Sequence, residues 1–277
     1  LIAWAMDSKK KKFREFSKTA LVELRRGGVL ENLRRDYLSL IAEHDLDNTA
    51  HIRKISDWVF YPFFCAMIPR FLPGREAKII DWGGWYGQVT RILMEMGYSD
   101  VSNYLLDAPP HYDEFAQKFS LATIHGKEPN RLELDDASLD LFISSGVLEH
   151  VAEDGVGDED LIVTEIIRVL KPGGWFFIWN LPAMLGSSEI LAYVARKWRH
   201  ERRFWLKEAL SLLQRHGLTI ELAAKHKFLP GSLTNIIAKR MDVVSMTGWD
   251  ERLSRLFPLS IFARDYCILA RKPGPIP

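Results

Sequence analysis

Cysteine is nearly missing: the 277 residues hold two, Cys65 and Cys267. Each lies in an apolar stretch, FFCAMI and DYCILA, which suits buried, reduced thiols in a cytoplasmic protein and not a disulfide framework. No Cys/His cluster at metal-ligand spacing is visible, so the sequence points to no metal. No apolar run reaches the length of a membrane span. The opening residues LIAWAMDSKKKK put the apolar part before the basic part, the reverse of a secretory signal. A surplus of one charge is absent as well. With 37 Lys and Arg against 36 Asp and Glu, no overall field recruits nucleic acid or a membrane surface, and a polyanion would need a local patch. Internal repeats and low-complexity segments are also lacking.

What is present is apolar and patterned. Hydrophobic residues make up 47% of the chain, enough for a substantial core. From about residue 8 to residue 70 apolar positions recur at three- and four-residue spacing, as in FREFSKTALVELRRGG and ENLRRDYLSLIAEHDL, and predict helices. The aromatic-dense segment ISDWVFYPFFCAMIPRFLPG then leads into a second unit. Beyond residue 76 short apolar runs alternate with helical patterns: AKIIDW, GQVTRILMEMG, VSNYLLD, PHYDEFAQKF, LATIHG, LDLFISS, DEDLIVTEIIRVL, GWFFIWN, RRFWLKEALSLLQRHG and LTIELAAKHKFL. Strands that alternate with helices imply crossover units and a mostly parallel sheet covered on both faces. The division expected is a helical lid or extension over residues 1–74 and an α/β core over 75–277. Pro172, Gly173 and Gly174 are expected to end a helix and start a central strand.

The stretch KIIDWGGWYGQVTRIL runs from a strand through a glycine cluster into a helix, a place where backbone lets a ligand approach closely. A dinucleotide fingerprint needs glycines at its first, third and sixth positions; counting from Gly83, Trp85 and Gln88 occupy the last two. That reading fails. The spacing Asp81, Gly83, Gly87 instead resembles the first motif of class I S-adenosylmethionine-dependent methyltransferases. Further stretches resemble the same family in order over roughly residues 76 to 271: Asp107 after the second strand, LDDASLDLFISSGVLEHV, EIIRVLKPGGWFFI, and the terminal ARDYCILARKP. LEHV followed by VLKPGG is most similar to the ubiquinone- and menaquinone-type small-molecule methyltransferases.

The resemblance implies a Rossmann-like, seven-stranded mixed sheet with helices on both faces, the last strand antiparallel, and S-adenosylmethionine as cofactor. It implies a cofactor site made of Asp81, Gly83, Gly84, Trp85, Gly87, Asp107, Ala108, Glu128, Ser145 and Gly146. Asp107 would receive both ribose hydroxyls, because one carboxylate offers two acceptor oxygens. In the degenerate stretch HGKEPNRLEL, Glu128 is the choice for the adenine amine. Trp85 stands where relatives often have glycine. Either it packs on an N-terminal helix, or its indole faces the sulfonium or the substrate.

Methyl transfer from a sulfonium depends chiefly on proximity and alignment, and a base is needed only when the acceptor arrives protonated. His150 in VLEHV is the first candidate base; His111 and Tyr112, after LLDAPP, are others. Asn180, in IWNLP, reads as a strand terminus bordering the substrate pocket. Two basic stretches, KKKKFR at 9–14 and RKWRHERRFW at 196–205, read as possible contacts to an anionic small substrate. The function expected is transfer of a methyl group to a small or medium-sized metabolite, with oxygen favoured as the acceptor atom. A non-catalytic S-adenosylmethionine-binding protein of the same fold and a nucleotide-dependent oxidoreductase are the rivals. The sequence leaves the oligomeric state open.

Overall fold

The computed structural model describes residues 21–25, 28–46, 49–55, 57–155, 157–196, 200–229, 231–238, 240, 243–254 and 256–274. The basic stretch 9–14, most of the first expected helix, and residues 197–199 of the second basic stretch lie outside them.

Seven strands form one sheet: β1 (Lys78–Trp82), β2 (Asp100–Leu105), β3 (Ala122–His125), β4 (Leu139–Ser145), β5 (Leu170–Pro182), β6 (Thr219–His226) and β7 (Asp265–Arg271). Their order is β3-β2-β1-β4-β5-β7-β6. The pairs β1/β2, β1/β4, β2/β3 and β4/β5 are parallel, and β7 runs antiparallel to both β5 and β6. The helices α1 (Val29–Glu43), α2 (Ala50–Arg53) and α3 (Asp57–Cys65) precede the sheet. Within it come α4 (Gln88–Glu95), α5 (Tyr112–Phe119), α6 (Glu159–Val169), α7 (Ser187–Val194), α8 (Leu206–Arg215), α9 (Gly231–Ala238) and α10 (Val243–Leu253). This is the mixed, seven-stranded Rossmann-like fold expected, with helices on both faces. No helix among the described residues is long and apolar enough to cross a membrane.

Side chains along a strand alternate between faces, and the two faces have separate cores. Ile80, Phe142, Phe176, Ile178 and Ile268 pack with Ile162 and Ile166 of α6 and Leu212 and Leu213 of α8. Ile79, Val101, Ile143, Phe177, Trp179 and Leu269 pack with α4, α5 and the N-terminal helices. The aromatics of α3 lie on the sheet itself: Phe64 stacks on Trp179 at 5.2 Å between ring centroids, and Phe63 on His226 at 5.6 Å. Tyr37 of α1 stacks on Phe119 at 4.0 Å and donates to the carbonyl of Tyr86 at 3.0 Å. The extension is thus continuous with one core of the sheet.

One boundary differs from the sequence reading. β5 begins at Leu170, so Pro172, Gly173 and Gly174 lie inside the strand and do not precede it. Its register with β4 shifts between the pairs Leu139/Leu170 and Leu141/Trp175. Gly173, at φ +82, makes that irregularity possible, and its N–H still donates to the carbonyl of Lys272 at 2.9 Å.

Candidate active site

The order β2-β1-β4 places the loops after β1 and β4 side by side at the point where the sheet's winding reverses. They touch: a Cβ on Gly83, which has φ +64, would stand 2.7 Å from Cγ2 of Val147. Asp81 and Asn103 are register partners on β1 and β2, so their side chains lie together on the face that carries the N-terminal helices. The glycine loop folds over this pair so closely that a Cβ on Gly84 would meet Asp81 Oδ2 at 2.3 Å and Asn103 Oδ1 at 2.5 Å. Glycine at 84 is a steric necessity.

Asp81 is fully buried and faces the start of α4. Its Oδ2 accepts from the backbone N–H of Thr90 at 3.1 Å and from the Thr90 hydroxyl at 2.9 Å. Gly87, with no side chain, cannot cap this helix, and Asp81 supplies the missing acceptor from the strand. Burial pushes its carboxyl up to about 7 against the pull of both Thr90 bonds. The other oxygen, Oδ1, has no partner. Asn103 Nδ2 donates to the Trp85 carbonyl at 3.0 Å and to the Tyr112 hydroxyl at 2.9 Å, while Asn103 Oδ1 is buried without a partner. Tyr112 also bonds Thr123 Oγ1 at 2.7 Å, so its oxygen is committed to holding Asn103.

Trp85 adopts a left-handed conformation, φ +50. Its half-buried ring borders the core shared with the N-terminal helices and lies edge-on to Tyr86 at 6.0 Å. The indole Nε1 is sealed from solvent and has no partner. Asp107 and Ala108 are exposed just past the end of β2. Glu128 is exposed in the turn after β3, where it bridges to Arg131. His111 stands at the N-cap position of α5 without a side-chain capping bond; its Nδ1 bonds Glu114 Oε1 at 2.9 Å and its ring stacks on His44 at 4.3 Å.

The chain after β4 carries the second half of the site. Ser144 Oγ is buried and unpartnered, and Ser145 Oγ accepts from Asn180 Nδ2 at 3.3 Å. Asn180 ends the straight part of β5 in a left-handed conformation, and its Oδ1 accepts from Lys227 Nζ. Gly146, at φ +69, turns the chain into a short 3-10 turn, Leu148–His150. Glu149 is 2% exposed; burial pushes its carboxyl up to about 8, and Oε2 has no partner. His150 is part-buried, and its Nδ1 bonds Glu153 Oε2 at 2.7 Å. His200, after α7, has its Nδ1 on Glu189 Oε1 at 2.8 Å and its ring 5.5 Å from that of His150.

The sequence reading did not single out Asn103, Glu149 or His200. Asn103 had a readable signal, a polar residue within the apolar strand VSNYLL. Glu149 stood beside the residue that was chosen. His200 had none, because fifty residues separate it from His150.

A glycine loop over a buried carboxylate lies at the switch point of this α/β sheet, the place where such sheets receive ligands. Comparison with known proteins specifies which kind. The methyltransferase-domain family model matches residues 80–178. No curated protein sequence matches the chain. Among solved structures, a chain of the complex between the Haloferax volcanii Trm112 methyltransferase activator and a candidate methyltransferase is 18% identical, with a TM-score of 0.57, over 85% of this chain and 97% of that one. A candidate sarcosine dimethylglycine methyltransferase from Galdieria sulphuraria is 19% identical, TM-score 0.56, over 80% and 88%. The 1,6-didemethyltoxoflavin-N1-methyltransferase of Burkholderia thailandensis, solved with its substrate and S-adenosylhomocysteine, is 18% identical, TM-score 0.53, over 87% and 88%. Residues 80–178 match the methyltransferase-domain model, the fold is the one shared with these solved methyltransferase structures, and S-adenosylmethionine is the cofactor that the likeness implies.

The residues present fit that cofactor. Buried polar groups without partners are rare, and here one donor and two acceptors, Trp85 Nε1, Asp81 Oδ1 and Asn103 Oδ1, cluster on or under the glycine loop. A zwitterionic amino acid group, such as the methionine end of the cofactor, needs both kinds.

Proposed function

We propose that this protein transfers the methyl group of S-adenosylmethionine to a hydroxyl of a small or medium-sized metabolite. The observation that carries the proposal is the set of unpartnered buried polar atoms where the loops after β1 and β4 meet. Trp85 Nε1 donates to the cofactor's carboxylate, and Asp81 Oδ1 and Asn103 Oδ1 accept from its amino group. Asp107, exposed at the end of β2, takes the ribose hydroxyls, and Glu128 meets the adenine amine. Bound there, S-adenosylmethionine supplies an electrophilic methyl on a sulfonium that departs as a neutral thioether.

The chain's own residues orient the acceptor and accept its proton. Glu153 holds the His150 imidazole by Nδ1, which leaves the electron pair on Nε2 to take a hydroxyl proton. Asn180 and Ser145 border the acceptor side. Tyr61, 9% exposed, and the other α3 aromatics close the space beneath and exclude water.

Titration calorimetry with S-adenosylmethionine and S-adenosylhomocysteine, with NAD as the control, tests the cofactor. Absence of binding by both sulfur nucleosides overturns the proposal. Labelled methyl transfer across a panel of hydroxyl and amine acceptors then tests the reaction, and turnover of amines alone removes oxygen as the acceptor.

A further inference from the structure

Glu149, His150 and His200 each offer a metal-ligating atom, and the three atoms lie within 4.8 Å of one another. Proximity alone would carry little, but three further features act together. Glu149 is almost completely buried and its Oε2 has no partner, an unfilled acceptor whose cost a bound cation would offset. Each imidazole gives its Nδ1 to a separate carboxylate, His150 to Glu153 at 2.7 Å and His200 to Glu189 at 2.8 Å. That pairing fixes the tautomer and the ring direction and raises the basicity of Nε2, as in carboxylate–histidine–metal relays. Finally, the rings are only 5.5 Å apart, although they come from different connections, the turn after β4 and the chain after α7.

We propose that Glu149, His150 and His200 bind a divalent transition-metal ion at the acceptor side of the site. Two nitrogens and one carboxylate favour a borderline ion of the zinc, iron(II) or cobalt(II) class over Mg2+, which prefers oxygen ligands. Ligands at about 2.1 Å from such an ion stand roughly 3–4 Å apart, so side-chain rotation of about 1 Å closes the triad. Three protein ligands leave coordination positions open for an exogenous oxygen. On the reading of methyl transfer to a hydroxyl, the ion holds the acceptor oxygen and lowers its pKa; His150 is then a ligand, and the ion replaces it as the means of deprotonation.

The second group at such spacing, His44, His111 and Glu114, makes a good internal control. There both imidazoles share one exposed carboxylate, His44 at 2.7 Å from Glu114 Oε2 and His111 at 2.9 Å from Oε1, and no buried oxygen is left open.

The test is a titration of tag-free, chelator-dialysed full chain with Co2+, read by visible absorption, followed by displacement with Zn2+ and by elemental analysis. One ion per chain is expected, insensitive to excess Mg2+. His150→Ala and His200→Ala should each weaken Co2+ binding by about tenfold or more, and Glu189→Gln, which alters only the partner of His200, should do so within the 10- to 100-fold range of such residues. His44→Ala should leave it unchanged. Circular dichroism establishes the fold of each variant, and if His200→Ala does not fold, Glu189→Gln carries the test. No saturable binding, binding that survives these variants, or binding lost in His44→Ala overturns the proposal. The titration contains neither cofactor nor acceptor, so its failure is distinguishable from failure of the cofactor titration.

Discussion

The two faces of the sheet are built from the same strands and serve opposite ends. Under α6 and α8 the strand side chains include Ile80, Tyr104, Phe142, Phe176, Ile178, Tyr266 and Ile268; the Tyr104 hydroxyl is bonded to Glu133 Oε2 at 2.6 Å, and Ser144 Oγ, at the carboxyl end of β4, is buried without a partner. On the other face the same strands present Asp81 and Asn103 near their carboxyl ends, each with an unpartnered oxygen, and Trp179 with an unpartnered indole nitrogen. One face is almost wholly apolar and supplies stability, with the open hydroxyl of Ser144 at the site end of β4. The other accepts unpaired polar groups, and the N-terminal helices cover it with aromatics. Uncompensated burial is tolerated where a ligand completes the bonding, and the face that contains it is where the ligand belongs.

The largest expected effect tests whether the N-terminal cover belongs to the core. Phe64→Ala removes a 1% exposed ring stacked on Trp179 and should cost about 3–5 kcal/mol in denaturant unfolding. Leu213→Ala, on the opposite face, should cost about 2–5 kcal/mol. Only the first should also slow methyl transfer, since only that face borders the acceptor. Equal losses of stability with no kinetic difference would mean that the faces do not divide the work as described.

Next in size is the pH dependence of Asp81. Its folded pKa, about 7, lies above the 3.8 of the unfolded chain. Between those values the folded protein retains a proton that the unfolded chain releases, so stability falls as pH rises through this window, and the penalty is complete above about 7. Asp81→Asn removes the titration and retains an acceptor for Thr90. Relative to the parent, the variant should gain on the order of a few kcal/mol between pH 4 and pH 8. Melting temperatures measured across that range give the swing, and a difference between the proteins that does not vary with pH would place the Asp81 charge in a better-solvated setting.

The apolar face was the more legible one in the sequence, for a physical reason. Alternation of apolar runs and helical periods reports burial, and burial governs β1 to β6 with α4, α5, α6 and α8, so the order of these elements and a mostly parallel sheet could be read directly; the antiparallel β7 came from the family resemblance, and α7 was not read. LDLFISS corresponds to β4 residue for residue. The glycine loop was legible because steric demand leaves a mark: only glycine fits at 84, and Gly83 and Gly87 take positive φ. Partnerships between distant residues leave no such mark. Nothing local in the sequence shows that Asp81 caps α4, that Tyr112 is committed to Asn103, or that His200 comes to rest beside His150. The Pro-Gly-Gly segment was misplaced because those residues punctuate a chain equally well at a strand start and at an irregularity inside a strand.

Asp107 sharpens the contrast between structural and ligand-directed polarity. Asp81 is buried and bonded within the protein, whereas Asp107 is exposed at the end of β2. Asp107→Ala should leave the unfolding midpoint unchanged and weaken S-adenosylmethionine binding by about 1.5–3 kcal/mol, the range for hydrogen bonds to a charged group. Calorimetry alongside denaturant unfolding reads both quantities. A shift in stability without one in affinity would make Asp107 part of the scaffold.

The smallest expected effect falls on Trp85, where opposing terms nearly cancel. A non-glycine residue in the left-handed region is strained by roughly 1–2 kcal/mol, which Trp85→Gly relieves. Against this stand lost packing of a half-buried ring and the extra freedom of glycine in the unfolded chain, about 0.5–1 kcal/mol. Net stability should therefore change by less than about 1 kcal/mol. Trp85→Phe isolates the remaining term, since it retains an aromatic ring beside Tyr86 and deletes only the donor. If the sealed Nε1 donates to the cofactor's carboxylate, Trp85→Phe should weaken S-adenosylmethionine binding by about 1.5 kcal/mol with little change in melting temperature. Unchanged affinity in Trp85→Phe together with lowered stability in Trp85→Gly would make the indole a packing element beneath the N-terminal helices, and the loop's ligand-facing donors would then be backbone N–H groups alone.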